Sequence, residues 1–211
     1  MVKAVIFDLD GTLLNTLGDL HASINHTMEH FGFPLHTLEE VKGYVGNGVV
    51  KLIQRACPEN VGNGEEVLEY FKADYAVHGE DTTRPYDGII ELLEELKKRG
   101  IMCGIVSNKY DGALKRLDEK FFKGYFDVCI GERPEINKKP APDMVYMALD
   151  ALGITKDEAV YVGDSDVDIE TAKNAGLKCI SVTWGFRDRD LLTEKGACIF
   201  ADTPLEVLKF I

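Results

Sequence analysis

The chain opens on an unbroken apolar run, Ala4 to Phe7, closed by Asp8. Such a run between polar residues reads as a strand buried on both faces. Leu17, Leu20, Ile24, Met28 and Phe31 then recur at helical spacing. Val49–Cys57 repeats that period, and so does 65–77, where Leu68, Phe71 and Tyr75 share a face. Turns rich in Gly and Asn separate these helices, at 46–48 and 62–64, and no strand pattern occurs between 15 and 84.

The period changes after Arg84-Pro85-Tyr86-Asp87-Gly88. Pro85 breaks the helix pattern, and Asp87 reads as the N-cap of a helix carrying Ile89, Leu92, Leu93 and Leu96, which stops at Gly100. Strands and helices then alternate. The pattern predicts strands over 101–107, 126–130, 159–163, 178–183 and 197–200. It predicts helices over 111–117, 143–152, 167–175, 188–194 and 205–210. Alternation of this kind predicts an α/β fold with a parallel sheet covered on both faces. The helical stretch after the first strand is too long for a loop. It reads as an inserted subdomain, giving a core of residues 1–14 and 85–211 and a helical cap of residues 15–84.

Composition narrows the function. The net charge of -12 leaves no basic stripe for nucleic acid. No apolar run is long enough for a membrane helix, and the N-terminus enters a strand at once without a leader pattern, so a cytoplasmic protein is expected. The five cysteines form no CxxC pair and read as reduced, buried hydrophobes. The five histidines fall between positions 21 and 78 and read as surface residues.

In parallel α/β sheets, ligands bind beyond the carboxyl ends of the strands. Asp8 and Asp10 leave the first strand on the same side, because side chains alternate. Asp164 follows the strand 159–163, and Asp166 and Asp168 open the next helix, where acids also serve as caps. Asp8, Asp10 and Asp164 together make a hard-oxygen site of the kind Mg2+ prefers. Ser107 and Asn108 close another strand, where a hydroxyl and backbone N–H groups can hold phosphate. Lys139 lies in a loop stiffened by Pro140 and Pro142.

Asp8-Leu9-Asp10-Gly11-Thr12, Ser107-Asn108, Lys139-Pro140-Ala141-Pro142 and Gly163-Asp164-Ser165-Asp166-Val167-Asp168 appear in this order. As a set they resemble the four motifs of the haloacid dehalogenase superfamily of phosphohydrolases, whose core is a Rossmann-like parallel sheet, with a helical cap between the first two motifs. The cap segment 45–56 resembles the phosphoglycolate phosphatase branch. Asn15 departs from the pattern, since many relatives carry Asp after the first motif.

The resemblance implies a nucleophile at Asp8, a general acid–base at Asp10, and Mg2+ held by Asp8, Asp10 (through its backbone carbonyl) and Asp164. It implies phosphate binding by Leu9, Ser107, Asn108 and Lys139, with Asp168 orienting Lys139 or a water. The substrate expected is a small phosphorylated metabolite, phosphoglycolate first, and the protein a monomer or weak homodimer. In the cap, Gly46, Asn47, Gly48, Lys51 and Arg55 are the candidates for substrate selection. A phosphosugar mutase, a phosphonoacetaldehyde hydrolase and a pyrophosphatase share the scaffold. A phospho-aspartate signalling receiver is the non-enzymatic alternative, disfavoured by the long insertion after strand one.

Overall fold

The structure is a computed structural model describing residues 1–59 and 64–211; the expected turn residues Gly62 and Asn63 lie outside them. The chain divides into two compact units, one of Met1–Leu14 with Pro85–Ile211, the other of Asn15–Arg84.

The first unit is a parallel sheet in the order β5-β4-β1-β6-β7-β8. Its strands are β1 (Ala4–Phe7), β4 (Met102–Tyr110), β5 (Val128–Glu132), β6 (Ala159–Gly163), β7 (Lys178–Val182) and β8 (Phe200–Ala201). Two-residue strand pieces, β2 (Leu14–Asn15) and β3 (Arg84–Pro85), lie where the chain leaves and re-enters this unit. Alternation divides the strand side chains between two cores. Val5, Phe7, Ile105, Val160 and Val162 pack with Ile89, Leu92 and Leu96 of α5 (Ile89–Lys98) and with Leu114 of α6 (Asp111–Leu117). Ile6, Val106 and Tyr161 pack with Met144 and Ala148 of α7 (Asp143–Leu152) and Ala172 of α8 (Asp166–Ala175). Burial on both faces is why these strands read as continuous apolar runs.

Register aligns the strand ends that carry the polar residues. Phe7 pairs with Ile105 on one side and Val162 on the other. Asp8 therefore lies level with Val106 and Gly163, and Ser107 and Asp164 stand one residue further along.

Several local expectations are corrected. The cap residue of α5 is Gly88 in a left-handed conformation (φ 88°), not Asp87, and it makes no side-chain cap bond. β4 runs on to Tyr110, three residues past the expected end at Ser107. A π-helical turn, Asp118–Phe122, continues α6. The last strand is the short β8 rather than 197–200, and the C-terminal helix is a 3-10 segment, Pro204–Lys209. All five cysteines are free, but only Cys103 is buried; Cys57, Cys129 and Cys179 are partly exposed and Cys198 is exposed.

The second unit contains α1 (Leu17–His30), α2 (Leu38–Tyr44), α3 (Val49–Ala56) and α4 (Gly64–His78). α2 has no counterpart in the apolar pattern. It starts on a capping box in which the Thr37 side chain accepts from the Glu40 N–H and Glu40 reaches back to Thr37. Buried Asp19 ties the two ends of this unit together: Thr82 and Thr83 each donate a backbone N–H and a hydroxyl to its carboxylate. Of the histidines, His26 bonds Asp74 and His78 bonds Asp81, while His21 lies against the His36 carbonyl and is only part-exposed.

Candidate active site

At the carboxyl edge of the sheet, Asp8, Asp164 and Asp168 are all buried, each offering a carboxylate oxygen within 4.8 Å of the others. β1 delivers Asp8, whose N–H donates to the Val162 carbonyl (2.9 Å). β6 delivers Asp164, and the first turn of α8 delivers Asp168.

Lys139 reaches into this group. Lys139 Nζ donates to Asp8 Oδ1 (2.6 Å), Asp168 Oδ1 (2.8 Å) and the Tyr161 hydroxyl (3.1 Å). Its backbone is clamped by Asn108, which accepts from the Lys139 N–H (2.8 Å) and donates to the Lys139 carbonyl (3.1 Å). The side chain of Asn108 is therefore a strut that fixes the lysine.

Asp168 is fully committed within the protein. Its Oδ1 accepts from Lys139 and from Tyr161 (3.0 Å), and its Oδ2 from the Ser165 hydroxyl (2.6 Å) and N–H (3.1 Å). The same residue closes the capping box of α8. Tyr161 went unnoticed in the sequence because it sits inside an apolar run; only its hydroxyl, aimed at Lys139 and Asp168, distinguishes it from packing.

Asp164 is held by the Thr12 hydroxyl on Oδ1 (3.0 Å) and the Phe186 N–H on Oδ2 (2.7 Å). The approach is close enough to demand glycine. A Cβ on Gly11, whose φ is +90°, would come within 2.4 Å of Asp164 Oδ2, and one on Gly185 within 2.3 Å of Asp164 Cβ. The segment after β7 thus lines the site, with Trp184 donating its indole N–H to the Thr12 carbonyl (2.9 Å). Asp10 stands apart from the three clustered acids: its Oδ1 accepts from Lys109 Nζ (2.9 Å). Ser107 is buried, and its Oγ accepts from the Lys109 N–H (3.2 Å).

Lys139 bonds two of the three buried carboxylates, Asp8 and Asp168, and Arg187 adds a second positive charge near Asp164, so acids outnumber cations in the group. Burial, then Asp168, push Asp8 well above the usual carboxylate range, although Lys139 opposes them. Burial and Asp168 push Asp164 up to about 7, against the Phe186 N–H and the Thr12 hydroxyl. Burial works against charge on Lys139, but Asp168 and Asp8 overcome it and hold the lysine protonated. Burial and the neighbouring Asp164 and Asp10 also raise the phenol of Tyr86. A divalent cation with oxygen affinity fits this donor set, because it offsets the unbalanced charge and relieves the repulsion between the acids.

The cap candidates lie in the second unit. Arg55 donates to the Tyr44 carbonyl (2.7 Å) and to Asn47 Oδ1 (2.7 Å), bracketing the turn 45–48 in which Gly46 and Gly48 have positive φ. Lys51 and Arg55 are both exposed.

The chain has relatives among known proteins. Among curated relatives, the phosphoglycolate phosphatase of Aquifex aeolicus is 34% identical over 88% of this chain and 86% of its own. That of Vibrio parahaemolyticus is 31% identical over 100% of this chain and 96% of its own. A solved structure from Lactobacillus delbrueckii subsp. bulgaricus, provisionally assigned as a phosphoglycolate phosphatase, superposes with a TM-score of 0.94 at 37% identity, covering 99% of this chain and 98% of that one. The profile of the haloacid dehalogenase-like hydrolases matches residues 5–182, a span that takes in Asp8, Ser107, Lys139 and Asp164 alike, and the chain belongs to that family.

Proposed function

We propose that this hydrolase cleaves a small phosphate monoester by transferring the phosphoryl group to Asp8 and then to water. The observation that carries the reading is Lys139, which bridges Asp8 and Asp168 at 2.6 and 2.8 Å beside Asp164. A carboxylate oxygen of Asp8 attacks phosphorus, and the bond to the ester oxygen breaks. Asp10 gives its proton to the departing alkoxide, then takes one from the water that cleaves the acyl phosphate and frees Asp8. Lys139 and Ser107 hold equatorial phosphate oxygens, and groups of this kind contribute on the order of 10²–10³ in rate each. Mg2+ held by Asp8, Asp164 and the Asp10 carbonyl would supply positive charge against the phosphate oxygens.

Phosphoglycolate is the first candidate substrate, supported by the names of the relatives. The helical unit of residues 15–84 is the part assigned to substrate selection. Phosphate release across a broad panel of esters, with Mg2+ and with EDTA, tests the class and the ion together. Asp8→Asn is expected to abolish both turnover and labelling of the protein by phosphate while leaving the circular dichroism spectrum unchanged. Turnover near the wild-type rate in that variant would remove Asp8 from the reaction, and full activity in EDTA would remove the ion.

A further inference from the structure

β4 does not end where its apolar run ends. It continues through Lys109 to Tyr110, and its register against β5 slips between Val106 and Tyr110, four steps on β4 answering two on β5. A bulge of this kind re-aims a side chain, and this one is built in. The Gly131 N–H donates to Asp111 Oδ1 (3.0 Å), and a Cβ on Gly131 would come within 2.7 Å of the Lys109 carbonyl. The consequence is an ion pair with Asp10, on the segment following the neighbouring strand β1, between residues 99 positions apart. Lys109 Nζ lies 2.9 Å from Asp10 Oδ1, with the two side chains only 9% and 17% exposed. The backbone N–H of the same residue donates to Ser107 Oγ (3.2 Å).

We infer that Lys109 is a positioning residue for the acid–base chemistry, fixing the carboxyl of Asp10 through its ammonium and the hydroxyl of Ser107 through its N–H. The inference rests on the acid–base role proposed above for Asp10. Without a partner, a carboxylate on the segment after β1 would be free to rotate between rotamers. The nearly buried ammonium of Lys109 on Oδ1 holds it in one orientation. Misplacing a reacting group by about 1 Å costs on the order of 10² in rate.

The test compares Lys109→Met, Lys109→Arg and Asp10→Asn on two esters, p-nitrophenyl phosphate and 2-phosphoglycolate. The aryl oxygen leaves without a proton, whereas the alkyl oxygen needs one. The ratio of kcat/KM for the two esters, taken within one preparation, does not depend on the folded fraction. A variant that folds poorly therefore still reports, and Lys109→Gln replaces Lys109→Met if none of the latter is recovered. Lys109→Met is expected to lose about 10–100-fold in kcat/KM on the alkyl ester and several-fold less on the aryl ester. It should share the direction of Asp10→Asn, and Lys109→Arg should recover most of the loss. Equal losses on both esters in Lys109→Met, or a change in KM alone, would overturn the inference while leaving Asp10 its role. An Asp10→Asn variant blind to the leaving group would overturn that role and the inference with it.

Discussion

Replacing Asp164 by Asn should make the metal-free protein more stable at pH 8 than the wild type. Burial and Asp168 hold the Asp164 carboxyl at about 7, against an ordinary value of 3.8. In the window between those values the folded state keeps a proton that the unfolded chain has released. Stability therefore falls as pH rises through the window and levels off above about pH 7. At about 1.4 kcal/mol per unit, the span corresponds to about 4 kcal/mol. Asparagine keeps the shape and removes the charge. Its carbonyl can accept from the Phe186 N–H and its amide can donate to Thr12 Oγ, so both present contacts have successors. Urea unfolding in EDTA from pH 4.5 to 8 measures the effect, read by fluorescence of Trp184, the single tryptophan, which is bonded to the Thr12 carbonyl. The variant should lead by about 1 kcal/mol at pH 4.5 and by about 4 kcal/mol at pH 8. Mg2+ at a hundredfold excess over its dissociation constant should return about 2.7 kcal/mol to the wild type and little to the variant. A stability difference that does not change with pH in EDTA would refute the charge argument.

Gly11→Ala combines a positive φ with a Cβ inside contact distance of Asp164, so it should destabilise the core by about 1–3 kcal/mol and weaken Mg2+ binding, both readable by calorimetry. Arg55→Met removes both donors that bracket the turn 45–48; it should alter relative rates across an ester panel by several-fold while leaving phosphate labelling of Asp8 intact, and unchanged ratios would dissociate the turn from specificity.

The class of fold was legible because local pattern and tertiary environment agree along most of the core. Ala4–Phe7 and Ala159–Gly163 are continuous apolar runs because helices cover both faces of the sheet. α6 and α7 fall where their periodicity puts them. The misses have local physical causes. α2 is short, and its signal was the pair Thr37 and Glu40 rather than an apolar stripe. The start of α5 was misread because a left-handed glycine, and not a carboxylate, turns the chain. β4 extends past its apolar run because Asn108 and Lys109 are polar residues bonded to Lys139 and Asp10, and Tyr110 is exposed.

By itself the sequence determined which residue types stand at the strand ends, since alternation along a strand and the order of strand and helix are written in neighbouring positions. Only the tertiary structure decided which acid meets which cation. Asp168 joins Asp8 and Asp164 around Lys139, Asp10 pairs with Lys109, and Asn108 grips a lysine backbone 31 residues away. Those partners are set by sheet order and by a bulge in β4, and contacts between residues as much as 172 positions apart leave no trace in local periodicity.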